Sequence, residues 1–69
     1  YEVGNIDSTI CLQLPKINPH IPEMKVCLAE VMNISENDIS IKATTTEHLG
    51  FVGRKEGVSA YCNVLIYKI

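Results

Sequence analysis

Asn5-Ile6-Asp7-Ser8-Thr9-Ile10-Cys11-Leu12-Gln13-Leu14-Pro15 is the stretch on which the fold turns. Ile6, Ser8, Ile10, Leu12 and Leu14 alternate with Asp7, Thr9, Cys11 and Gln13, the two-residue period of an extended chain with two distinct faces. The pattern predicts a strand over 5–14. Pro15 ends it, because proline has no N–H to give to a sheet ladder, and Pro15-Lys16-Ile17-Asn18 forms a connector. Beyond that point the spacing of apolar residues changes to three and four. Ile21, Met24, Leu28, Val31 and Met32 make one stripe, with Asn18 a suitable N-cap and Pro19 suited to the first helical position. Pro22 still falls in the first turn, where its missing N–H costs little. A helix is predicted as far as about Asn33.

Ser35-Glu36-Asn37-Asp38 resembles a capping box with Asp in the usual Glu or Gln position, enough to hold a single turn. Ile39, Ile41 and Ala43 then alternate with Ser40, Lys42 and Thr44 as a second strand. A loop over 48–57 follows, punctuated by Gly50, Gly53 and Gly57. The last strand is predicted from Val58 to Tyr67, and its two partly apolar faces suggest cover on both sides. Strand, helix, strand, loop, strand is an α/β (α+β) order, in which the first two strands form a right-handed parallel βαβ unit and the third returns in either direction.

A chain of 69 residues is one small domain at most, and domains of this size bury only roughly 60% of the surface their unfolded chains expose. Cys11, Cys27 and Cys62 are odd in number and widely spaced, which argues against a disulfide framework or a Cys-x-x-Cys metal knuckle. Partner chains or further sequence are therefore the expected source of extra buried surface. With 46% apolar and 20% charged residues the composition is that of an ordinary globular protein. No apolar run is long enough for a membrane helix. A net charge of −2 gives no electrostatic footprint for a nucleic-acid backbone. Tyr1-Glu2-Val3-Gly4 resembles neither a signal nor a transit peptide and lacks an initiating methionine, so truncation, processing or missing residues are expected at the start.

The segments that follow the first two strands, 12–18 and 44–47, share the carboxyl edge of a parallel unit, where α/β sheets usually bind ligands. The Pro15–Asn18 turn exposes peptide groups able to read a base edge, and Lys16 adds a charge. Thr44, Thr45 and Thr46 set three hydroxyls beside the carboxylate of Glu47, hard-oxygen chemistry suited to magnesium and phosphate. The plainer account is that threonines form strands well and Pro-Lys turns are common. His20 and His48 each lack a second histidine or cysteine at ligand spacing. They are expected to cap or pack near the helix start and to face solvent, respectively, with the cysteines as small core residues. Gly50-Phe51-Val52-Gly53 matches the Gly-x-x-Gly loop of KH modules, but those loops join helices on a basic surface.

Gly4-Asn5-Ile6-Asp7, Gln13-x-Pro15-Lys16, Pro19-His20-Ile21-Pro22-x-Met24 and Lys42-Ala43-Thr44-Thr45-Thr46-Glu47-x-Leu49-Gly50-Phe51-x-Gly53-Arg54-x-Glu56-Gly57 run in an order and spacing that resemble the 2-C-methyl-D-erythritol 2,4-cyclodiphosphate synthase family. The resemblance implies the C-terminal part of a single trimeric domain, residues 1–69, with a mixed four-stranded sheet and helices on one face. It implies a phosphorus-oxygen lyase of the non-mevalonate isoprenoid pathway, in bacterial cytoplasm or plastid stroma. Such an enzyme closes 4-diphosphocytidyl-2-C-methyl-D-erythritol 2-phosphate into the cyclic diphosphate and expels CMP. The alternative is a non-catalytic fragment that keeps nucleotide or isoprenoid-diphosphate binding only within a trimer or beside its missing half. The zinc ligands, an Asp-x-His pair and a later histidine, lie outside these residues.

Carried over position by position, the same resemblance assigns Leu12, Gln13, Leu14, Pro15, Lys16, Ile17 and Asn18 to cytosine, largely through peptide groups. Thr44, Thr45, Thr46 and Glu47 are assigned to the diphosphate, Thr45 to catalysis and Glu47 to magnesium or manganese. Phe51 and Arg54, with Glu56 nearby, are implied near the substrate site and near a trimer axis able to take an isoprenoid diphosphate, and so count among the substrate-binding residues. Partners in nucleic acid or membrane are not implied. Leu12 and Leu14 replace residues that are usually small in the family and are expected to add bulk near the cytosine pocket.

Overall fold

The computed structural model describes all 69 residues, Tyr1 to Ile69. Strand β1 (Glu2–Cys11) leads through a 3-10 turn (Asn18–His20) into helix α1 (Ile21–Met32). A second 3-10 turn (Glu36–Asp38) precedes β2 (Ile39–Thr44), and the short helix α2 (Gly50–Gly53) precedes β3 (Ser59–Tyr67). The sheet order is β2-β1-β3, with β2 parallel and β3 antiparallel to β1. This is the expected α+β arrangement, with three strands in these residues.

Strand β1 lies three residues earlier than the alternation predicted. At its start, Glu2 pairs with Tyr67 and Val3 with Ile66 before a bulge that ends at Asn5. Gly4 sits in that irregularity because the Tyr67 ring crosses it so closely that an added Cβ would overlap the ring. At its end, Cys11 is opposite Thr44 on one side and Ser59 on the other, where both neighbouring strands stop. Leu12 makes one more ladder bond, its N–H to Thr44 O at 2.9 Å, and Gln13 and Leu14 have no strand to pair with. Ladder partners, rather than alternation, set the boundary.

Asn18 does not cap with its side chain. It opens the 3-10 turn, and α1 starts at Ile21 with Pro22 in its first two positions. His20 occupies the N-cap position of α1 without a side-chain bond. The helix ends where predicted, with Asn33 in the left-handed region (φ 57°, ψ 47°) and its N–H on Ala29 O. The buried face differs from the predicted stripe: Ile21, Met24, Leu28 and buried Ala29 face inward, and Val31 is 78% exposed. The helix packs chiefly against β2, with Ala29 its one buried residue; Ile6 and Ile39, partners across the ladder, are the most buried sheet residues. Ser35 caps its turn as expected, its Oγ accepting from Asn37 N at 3.1 Å.

Two further expectations are corrected. The predicted loop over 48–57 contains α2, because Gly53 N and Arg54 N find Leu49 O and Gly50 O at 3.1 and 3.0 Å and so satisfy a helical turn in spite of its glycines. Strand β3 is an edge strand open on both faces within this chain, not covered on two sides; Val64 and Ile66 are about half exposed.

Only Ile6, Ala29, Ile39, Val52 and Gly53 are buried, a core too small to offset chain entropy of about 1–2 kcal/mol per ordered residue. The 69 residues alone are expected to show no cooperative thermal transition by circular dichroism, and a sharp melt of a monomer would contradict this account.

Candidate functional site

Because β1 and β2 are parallel and end in register, the segments leaving them emerge side by side. They enclose a cleft of about 240 Å³ lined by Leu12, Gln13, Pro15, Lys16, Ile17, Asn18, Ala43, Thr44 and Thr45. Seven residues of the two predicted segments other than Thr45 therefore meet there, and Thr45 joins them. Leu14 does not line the cleft; it is 52% exposed, so of the two leucines only Leu12 bears on its shape. Ala43 was missed by the sequence reading, since strand alternation assigns it to the core face while its small side chain leaves it on the cleft wall.

Lys16 is the one charged residue of the lining, and neither ion pair of the chain involves it. Lys42, the other nearby lysine, is held by Asp7 at 3.1 Å on the sheet. Gln13 Oε1 is enclosed and without a hydrogen-bond partner.

The three threonines are committed differently. Thr44 Oγ1 donates to Thr45 O at 3.2 Å, and Thr46 Oγ1 donates to Leu49 O at 2.7 Å. Thr45 Oγ1 accepts from Glu47 N at 3.3 Å, which orients the hydroxyl and leaves its proton available. Glu47 and His48 both adopt left-handed backbone, at φ 54° and 64°. Glu47 is exposed, lies beside the cleft rather than in its wall, and belongs to neither ion pair. His48 is exposed as expected.

Phe51 and Arg54 are outside the cleft, on and just after α2. Arg54 Nε meets Glu56 Oε1 at 2.6 Å on the surface, and the Phe51 ring lies against Gly57, where a Cβ would come within 3.2 Å of it. Gly53 underpins the turn before it: an added Cβ would overlap the His48 carbonyl carbon and lie 2.6 Å from its Cα. No three His, Cys, Asp or Glu residues cluster so as to hold a metal ion, and no helix is long and apolar enough to cross a membrane.

The YgbB family model matches residues 1–67. The 2-C-methyl-D-erythritol 2,4-cyclodiphosphate synthase of Parabacteroides distasonis is 67% identical over the whole chain, which spans 43% of that relative's length; the Bacteroides fragilis protein of the same name is 62% identical over the same shares. Among solved structures, IspF of Plasmodium falciparum in a CDP complex superposes with a TM-score of 0.87 at 33% identity, over 91% of this chain and 40% of that one. The corresponding synthase of Plasmodium vivax gives 0.88 at 34% identity, over 97% and 45%.

In the complete protein, Gly53→Ala is expected to destabilise by about 1–3 kcal/mol, the usual cost of overpacking, because the obstructing atoms are backbone. Denaturant melts of wild type and variant would check it; equal midpoints would contradict the contact.

Proposed function

The chain belongs to the YgbB family, that of the 2-C-methyl-D-erythritol 2,4-cyclodiphosphate synthases, and from this premise we propose that it supplies the nucleotide and diphosphate side of such an enzyme's active site. The reaction is closure of 4-diphosphocytidyl-2-C-methyl-D-erythritol 2-phosphate. A 2-phosphate oxygen forms a new bond to the phosphorus next to the methylerythritol, the anhydride bond from that phosphorus to the cytidine phosphate breaks, and CMP leaves. The observation that carries this reading is the convergence of 12–18 and 43–45 on one cleft. A relative of known structure whose fold superposes over nearly all of this chain is a CDP complex.

An intramolecular phosphoryl transfer needs positioning and charge stabilisation more than a covalent protein group. In this reading the peptide groups of 12–18 hold cytosine. Lys16 lies near the phosphates. Thr45, whose hydroxyl accepts from Glu47 N, directs its free proton at a phosphate oxygen as negative charge moves onto the leaving group. Leu12 narrows the cleft from the strand side.

Magnesium or manganese fits the donor set at 45–47: one unpaired, exposed carboxylate beside substrate phosphates is the usual protein share of such a site. Glu47 would hold the ion, which when bound neutralises phosphate charge. Zinc does not fit among these residues, since no three suitable donors come together, and no step is assigned to it here. We extend the proposal to a homotrimer with sites between subunits, supported by the open faces of β3 and exposed Phe51, and to an isoprenoid diphosphate near Phe51 and Arg54 on its axis. If these residues bind nucleotide without catalysis, CDP binding with no CMP release will be the outcome.

In the complete protein, Thr45→Ala is expected to lower CMP release about 100-fold or more, in line with about 2.7–4 kcal/mol for one donor at developing charge, while the CDP dissociation constant stays within about threefold. Turnover within twofold of wild type would sink the assignment. Glu47→Gln is expected to move the magnesium titration of activity to higher concentration, since the amide lacks the attracting charge. An unmoved titration would remove Glu47 from the metal site.

A further inference from the structure

We infer that Thr46 is a positioning residue: its hydroxyl ties the turn carrying Glu47 to the helical turn carrying Phe51, and it does not itself contact the diphosphate. The inference deepens the cyclase reading and rests on it for what the turn positions. The family resemblance assigns Thr46 to the diphosphate together with Thr44 and Thr45. Its geometry differs from that of its neighbours: Thr44 and Thr45 line the cleft and Thr46 does not.

Phosphate oxygens of an ionised diphosphate only accept hydrogen bonds, so a threonine serves them by giving its proton. The Thr46 proton is already given, to Leu49 O at 2.7 Å, a shorter contact than Thr44 makes to Thr45 O at 3.2 Å. Leu49 N returns a bond to Thr46 O at 3.0 Å, and Leu49 O also takes Gly53 N at 3.1 Å. One carbonyl thus gathers a hydroxyl from before the turn and an amide from the end of α2. Inside this closure lie Glu47 and His48, both left-handed, a conformation that residues with a Cβ keep only where surrounding structure holds them. Gly53, packed on the His48 backbone, closes the same turn from the other side. Thr46 and Gly53 together fix where the Glu47 carboxylate stands relative to Thr45.

The test uses the complete protein with Thr46→Val, which keeps shape and loses the hydroxyl, and Thr46→Ser, which restores it. Three quantities are read: hydrogen exchange of the Leu49 and Gly53 amides, Mn²⁺ affinity by electron paramagnetic resonance, and CDP affinity by calorimetry without divalent cation. For the valine variant, exchange is expected to quicken about fivefold or more, the scale of one lost hydrogen bond. Mn²⁺ affinity should fall by a similar factor and CDP affinity stay within twofold, with serine restoring all three. A tenfold loss of CDP affinity rescued by serine would make Thr46 a diphosphate ligand and overturn the inference. Unchanged exchange, or quicker exchange with unchanged Mn²⁺ affinity, would overturn it as well. Wild-type protein that binds no CDP would instead defeat the cyclase reading, and the exchange rates would still decide whether the Thr46 tie exists.

Discussion

The parallel pairing of β1 with β2 is the constraint on which the site depends. Parallel strands run their carboxyl ends to the same edge, and here they finish in register, Cys11 opposite Thr44. The bond from Leu12 N to Thr44 O continues the ladder for one step past the strand. That step fixes the distance between the two departing segments. An antiparallel β2 would have sent the threonine run to the opposite edge, leaving Lys16 and Thr45 at opposite ends of the sheet. Helix α1 supplies the crossover, and the burial of Ala29, Ile6 and Ile39 holds it against β2.

Past the strand ends, the backbone has no ladder to satisfy it, and local bonds take over. Segment 44–49 uses hydroxyls to do this: Thr44 and Thr46 give protons to main-chain carbonyls, and Thr45 takes an amide proton. Two consecutive left-handed residues without glycine are costly, each about 1–2 kcal/mol, and such strain persists where the surroundings over-determine it. Here the surroundings are the Leu49 carbonyl and Gly53. The same elements turn Glu47 outward beside Thr45, so the strained backbone and the exposed carboxylate have one structural origin.

Much of this was legible in the residues. Ile39, Ile41 and Ala43 gave β2 its limits because β2 is amphipathic over its whole length. The end of α1 near Asn33 was legible as well, since the apolar stripe stops at Met32. Strand β1 was misjudged because alternation continued through Leu12 and Leu14 after the partner strands had ended, and sequence carries no sign of where a distant partner stops. Val31 joined the predicted stripe by spacing alone, whereas Ala29, too small to stand out, is the residue that faces the sheet. The α2 turn was hidden by its own glycines, whose low helix propensity was outweighed by bonds to Leu49 and Gly50 carbonyls. Segments 12–18 and 44–47 were singled out by their chemistry, and most of their residues do share one cleft, yet the differing hydrogen bonds of three identical side chains at 44, 45 and 46 depend on where each proton goes, which no pattern of residue types reveals.

A division of labour follows for the proposed site. If cytosine is held by peptide groups of 12–18, recognition depends on the path of the backbone and only weakly on which side chains it carries. Phosphate chemistry has no such freedom. In the proposed site it draws on a hydroxyl donor, a cationic group and a carboxylate, and the side chains proposed for these are Thr45, Lys16 and Glu47. Residues that hold those groups in place inherit the same stringency, since a turn that relaxes by one ångström displaces a carboxylate as effectively as a substitution does. Gly53 makes no polar side-chain contact at all, yet it belongs with Thr45 and Glu47 for this reason, because its missing Cβ lets the His48 backbone lie where the turn requires it.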